Sequence, residues 1–168
     1  MCSSDLTAPS DELPARENSV APDGEKVKTL ELRAGALVLQ IQDNSVSPKV
    51  LSGLQSLSHS KYAEFDAFDP DSPGASAGLN FEHVISGHRN AANRFTPRNG
   101  KYDLYRLADG RSAMLVRKRE DSPWDMSSTL KYTVEEPHYV DFEFNCTPHS
   151  RQMFGTRGHV ICFFANYM

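Results

Sequence analysis

This chain has little of what usually decides function at sight. In 168 residues there are 3 cysteines and 1 tryptophan. No apolar run approaches the roughly 20 residues of a membrane helix, so no membrane partner is expected. The formal net charge is −4, which gives no basic footprint for nucleic acid. The one basic cluster, Arg117-Lys118-Arg119, is followed at once by Glu120 and Asp121, which cancel most of its field. A P-loop, a dinucleotide fingerprint and a Ser-His-Asp motif are all missing. Gly74-x3-Gly78 has no helical pattern after it to hold a phosphate. No cofactor is therefore expected. Helical periodicity is absent from every segment of about ten residues or more.

Cysteine scarcity bears on compartment. Cys2 lies in a low-complexity start, leaving Cys146 and Cys162. If their two segments form a hairpin turning near Gln152, Cys162 faces Phe142 and the sulfurs sit roughly 13 Å apart at strand rise. A disulfide needs Cα atoms within about 7 Å. Two unpaired thiols are expected, compatible with a reducing compartment.

Both ends are unusual. Met1-Cys2-Ser3-Ser4-Asp5-Leu6 matches one frame of a common sequencing adapter translated from a GTG start, the alternative being a genuine Ser-rich N-terminus. The last residues, Gly158 through Met168, read as a buried strand with nothing after it. These features lead to the expectation of a reading frame from environmental DNA that is partial at both ends. Any signal peptide would then be lost, which leaves localisation open for a chain of soluble composition. The final strand is expected to pair with missing sequence or with another chain.

What is present is a β pattern. Hydrophobic content of 39% and charged content of 24% suit one globular domain with a real core. Residues 1–26, with Pro9, Pro14 and Pro22, read as a disordered tail. From Val27 the apolar period is two: Leu30 and Leu32, a turn at Ala34-Gly35, then Leu37, Leu39 and Ile41. Val50–Leu57 fits either a short strand or one helical turn. Residues 66–80 and 87–100 read as loops flanking a strand at Phe81–Ile85. Lys101–Leu107 and Arg111–Arg119 form a hairpin through Asp109-Gly110, a pair suited to a tight turn. Ser127–Glu135 is a long strand, Pro137 a corner, and His138–Cys146 alternates Val140, Phe142 and Phe144 against Asp141, Glu143 and Asn145. The fold class is therefore all-β: an antiparallel β-sandwich over 27–168, incomplete at its C-terminus, because one-sided apolar strands need a second sheet.

Two polar clusters carry the candidate chemistry. The denser runs from Asn80 through Glu82, His83 and His88 to Arg89 and Asn90. A His poised near neutral pH is a natural general acid or base, and Glu82 beside it makes these two the catalytic candidates. Asn80, His88 and Arg89 would bind ligand, the guanidinium as a planar fork. The competing reading is a core-edge His bonded to backbone, with a solvated loop after it. The second cluster, Glu135 to Glu143, puts Tyr139, Asp141 and Glu143 on one strand face, with His138 at its head. Carboxylates this close can raise one another's pKa in a cleft, which would suit acid/base work on a sugar. A solvent-facing strand with ordinary surface charges is the competing reading, and general composition favours it. Tyr62, Phe65, Phe68, Trp124 and Tyr139 are candidates for a stacking platform, with Trp124 the best placed for exposure. No His or Cys spacing matches a structural zinc site, so no metal is expected.

Three segments carry a resemblance: Gly78-Leu79-Asn80-Phe81-Glu82-His83, Tyr132-Thr133-Val134 with Pro137-His138-Tyr139-Val140-Asp141-Phe142, and Phe163-Phe164-Ala165-Asn166-Tyr167-Met168. They resemble a group of bacterial β-sandwich proteins similar to the galactose-mutarotase-like supersandwich. That fold serves sugar epimerases and accessory domains of polysaccharide enzymes. The resemblance implies a carbohydrate-associated protein with a saccharide in a loop-lined cleft, and the possibility of acid/base chemistry there. The Asn-x-x-His-x-Tyr-Phe segment of true aldose epimerases is missing, so their catalytic roles do not carry over. His83 is the closest residue in kind. A non-catalytic structural or protein-interaction sandwich is the alternative.

Overall fold

The computed structural model describes residues 22–43, 45, 52–68, 78–86, 101–122, 125–149 and 159–166, with backbone alone for 78–86 and 159–166. Eleven strands run in chain order: β1 (Gly24–Val27), β2 (Thr29–Ala34), β3 (Leu37–Gln42), β4 (Gly53–His59), β5 (Tyr62–Asp66), β6 (Gly78–Ser86), β7 (Asp103–Leu107), β8 (Ser112–Arg117), β9 (Met126–Glu135), β10 (Tyr139–Pro148) and β11 (His159–Asn166). They form two antiparallel sheets. One has the order β1-β7-β8-β9-β10; the other has β11-β6-β4-β3-β2, with β5 also paired to β4. The chain is an all-β sandwich. No helix among the described residues is long and apolar enough to cross a membrane.

Alternation decides which face each strand buries. On β9, Met126, Ser128, Leu130, Tyr132 and Val134 are buried, while Ser127, Thr129, Lys131, Thr133 and Glu135 lie on the other face, half-exposed. On β2, Leu30, Leu32 and Ala34 are buried between exposed neighbours. Leu30, Leu32, Leu39, Ile41 and Leu54 from one sheet meet Leu104, Ala113, Leu115, Leu130, Tyr132 and Val134 from the other in one apolar cluster. At about 1.5–3 kcal/mol for each fully buried large apolar side chain, this interface is the main source of stability.

Turn chemistry fixes the hairpins. Gly110 takes a positive φ of 71° between β7 and β8. Asp109 next to it accepts hydrogen bonds from the Arg111 and Ser112 backbone N–H groups at 3.0 and 2.8 Å and from the Ser112 hydroxyl at 2.6 Å. These bonds, the Ser112 hydroxyl first, hold the Asp109 carboxyl below its ordinary pKa against a smaller opposing effect of burial.

Four expectations change. The segment carrying Cys146 does not pair with the one carrying Cys162. Instead β10 pairs with β9, Cys146 opposite Ser128, and β11 pairs with β6, Cys162 opposite His83. The short Glu136–His138 corner returns β10 directly along β9, so the local hairpin prevails. Among the described strands the last one thus has a single neighbour, β6, and its far edge has none. Ordered pairing starts at Gly24, not Val27, since β1 lies against β7 with Lys26 opposite Tyr105. Lys26 also reaches Asp103 at 2.7 Å, which ties this short edge strand down. The ambiguous segment is strand β4 from Gly53 onward, held between β3 and β6.

Phe68 is the fourth change. It is only 2% exposed and belongs to the core, whereas Tyr62 and Phe65 on β5 are exposed. Asp66 makes the difference. Its carboxylate accepts the Leu57 and Phe68 backbone N–H groups, each at 3.0 Å, and the Ser56 hydroxyl. The chain is thereby pinned to β4 as it leaves β5, and Phe68 turns inward.

Candidate functional site

The hairpin β9–β10 brings the second polar cluster into register. Across it Glu135 faces Tyr139, Thr133 faces Asp141, Lys131 faces Glu143 and Thr129 faces Asn145. On the other side of β9, Thr133 faces Ser112 of β8 and Lys131 faces Met114. On the outer face of this sheet a row therefore runs from the fully buried Ser112 through Thr133 to Asp141, beside a second row ending in Lys131 and Glu143. An open groove of about 620 Å³ lies over it, lined by Arg111, Lys131, Thr133, Glu135, Asp141 and Glu143 together with Val140 and Phe142.

Several of these groups are already engaged. The Arg111 guanidinium holds Glu135 at 3.0 Å, Glu143 accepts from the Asn145 amide at 2.8 Å, and the Ser112 hydroxyl lies 2.9 Å from that of Thr133. Asp141 makes no hydrogen bond or ion pair among the described residues. The groove can offer an incoming ligand carboxylate acceptors, an ammonium donor and a hydroxyl within one shallow, wet surface. Tyr139, 65% exposed, continues the Asp141–Glu143 face two residues further along.

His138 lies at the corner beyond the groove, where turns from both sheets meet. Its ring centroid is 6.5 Å from that of His59, which in turn lies 5.5 Å from Tyr62. His59 Nδ1 accepts the Lys61 backbone N–H at 3.2 Å. Glu136 reaches across to the β2–β3 turn and accepts the Gly35 backbone N–H at 3.1 Å. His149 sits at the far end of β10, 2.9 Å from the Ser127 hydroxyl, so it does not join His138. Among the described residues no three His, Cys, Asp or Glu side chains converge in a way that could hold a metal ion.

The structure separates the candidates from sequence. Asp141 lies in the groove and His138 just outside it. Asn80, Glu82 and His83 belong to β6, in the other sheet, with His83 opposite Cys162 and Asn80 opposite Phe164; only their backbone is described. His88, Arg89 and Trp124, like residues 69–77 and 87–100, lie outside the described residues. Sequence reasoning missed Arg111, Lys131 and Thr133 as site residues and His59 as the neighbour of His138. A signal for the first group existed: the polar half of the Ser127–Glu135 alternation had to face Asp141 and Glu143 once the Pro137 corner was tight.

No family model matches this chain, and neither the curated proteins nor the solved structures include a significant match to it.

Proposed function

We propose that this chain is a saccharide-binding β-sandwich of galactose-mutarotase-like character, and that the sugar lies on the outer face of β9 and β10. The observation that carries the reading is the groove itself. It places the unengaged Asp141 carboxylate, the Glu143 carboxylate, a hydroxyl and an ammonium near an exposed Tyr139 ring, the mixture that a hydroxyl-rich ring with one apolar face requires. Asp141 and Glu143 accept from sugar hydroxyls, Lys131 donates, and Tyr139 stacks. The carboxylates stand two residues apart on one strand, roughly 7 Å. Both are exposed, in a groove too open to exclude water, which favours recognition over bond cleavage here. Acid/base chemistry at Glu82 and His83 is a separate part of the proposal.

Calorimetric titration of the full chain against a panel of neutral oligosaccharides tests the reading. Saturable binding is expected, weakened about tenfold or more by Asp141→Asn combined with Glu143→Gln, as for the loss of charged hydrogen bonds worth about 1.5 kcal/mol or more. Exposed positions should leave the melting temperature unchanged. Binding to none of the panel, or binding indifferent to the double variant, overturns the groove as the site. His83→Ala tests the catalytic part: lost activity at retained stability supports it, and destabilisation or no effect removes it.

A further inference from the structure

The outer edge of β10 stands apart from the other strand margins of its sheet. β10 is 10 residues long, whereas the opposite edge strand, β1, has 4. No described strand pairs with its far side, so every second residue turns its backbone N–H and C=O outward. Edge strands are usually blunted by lysine, by internal proline or by shortness. Between Tyr139 and Thr147 there is neither a basic residue nor a proline.

The inner face is partly open at one position of the same edge, while Val140 and Phe144 on either side pack against the core. Reading across the sheet, Ala113, Tyr132 and Phe142 form one row. Ala113 and Tyr132 are fully buried, yet Phe142 is 48% exposed. Phe142 is thus partly open to solvent at the edge of the apolar layer. On the outer face the charges alternate across the strands: Lys131 of β9, then Glu143 of β10, with Asp141 two residues away. The next strand in that order meets two carboxylates on its outer side and Phe142 on its inner side.

We infer that this edge takes an extended peptide segment as an added antiparallel strand, with Lys or Arg on both sides of an apolar residue. Opposite charges placed directly across strands attract, and like charges repel. The cations of the segment face Asp141 and Glu143, its apolar residue caps Phe142, and its backbone completes the ladder. A second copy of this chain is the poorer occupant. Antiparallel pairing that sets Phe142 against its copy sets Asp141 against Glu143 of the other chain, twice. The inference goes beyond saccharide binding: it adds the strand edge and its amides, and shares Asp141 and Glu143 with the sugar site on the outer face.

The test uses the full chain and a synthetic seven-residue peptide of alternating Lys and Val, blocked at both ends. Fluorescence anisotropy of the labelled peptide is expected to saturate. Three changes should each weaken binding at least tenfold: methylation of alternate peptide amides on the docking edge, replacement of Lys by Glu, and Asp141→Asn with Glu143→Gln in the protein. Phe142→Ala, checked for retained melting, should weaken it as well. Equal binding of the methylated peptide, the Glu/Val peptide or a scrambled peptide of the same composition overturns the inference, as does no binding. A concentration-dependent dimer that excludes the peptide assigns the edge to a second copy and also overturns it. Peptide binding without any oligosaccharide binding would remove the sugar reading alone, and the reverse result would remove this inference alone.

Discussion

Replacing Gly35 with alanine puts a methyl carbon 2.3 Å from the Pro137 carbonyl oxygen and 3.2 Å from a Glu136 carboxylate oxygen. The backbone there has φ +55°, in the left-handed region, where an L-residue costs about 1–2 kcal/mol. The carbonyl contact is backbone on the opposing sheet, so relief requires the β2–β3 and β9–β10 turns to part by roughly 1 Å, about the shortfall from ordinary carbon–oxygen contact. Parting them stretches the Gly35 N–H bond to Glu136, now 3.1 Å, worth about 0.5–1.5 kcal/mol. A less flexible unfolded chain returns about 0.4–1 kcal/mol. The net loss is about 0.5–3 kcal/mol, or a melting temperature lower by roughly 1–12 °C. Gly110→Ala is the internal control, because Gly110 shares the positive φ of 71° but an added Cβ meets nothing within 4 Å. It should cost about 1 kcal/mol, the conformational part alone. Urea unfolding of the two variants side by side separates them. If Gly35→Ala is no worse than Gly110→Ala, the two turns do not touch as described and the argument for that corner fails.

Other outcomes follow from the interior and from the β7–β8 turn. Arg117, 2% exposed, stacks its guanidinium 4.2 Å from the Tyr102 ring centroid; Arg117→Ala should lose about 3 kcal/mol through the cavity and the exposed contacts it leaves. The buried Tyr102 hydroxyl has no hydrogen-bond partner among the described residues, so Tyr102→Phe should match the parent or gain slightly in urea unfolding, and a loss of more than about 1 kcal/mol would reveal a partner. Because Asp109 has its pKa lowered in the folded state, chiefly by the Ser112 hydroxyl, its stabilising contribution is complete above the unfolded value near 4 and is lost as pH falls through the folded one. Ser112→Ala should therefore move the Asp109 carboxyl midpoint upward in an NMR titration, and an unchanged midpoint would exclude the hydroxyl as the cause.

The amino-acid sequence by itself determined the strand class, the faces and the tight turns. Alternation through Leu30 and Leu32 and through Leu39 and Ile41 predicted the buried faces of β2 and β3, since side-chain direction in a strand has period two and needs no partner to be known. Asp109-Gly110 and Ala34-Gly35 were legible because a positive φ favours glycine whatever the surroundings. Half of the candidate groove, Asp141 and Glu143, was legible for the same reason of period. Only the tertiary structure decided who lies beside whom. Period two says which face is apolar but not which strand is the neighbour, so β10 joined β9 while β11 crossed to β6. That choice put Cys146 and Cys162 in different sheets and brought Arg111, Lys131 and Thr133 to Asp141 from other strands. It also settled β1, whose four residues carry almost no apolar signal and are held by backbone pairing and the Lys26–Asp103 ion pair. Such contacts join residues far apart in the chain, and their energy depends on register across strands, a quantity no local window of sequence contains.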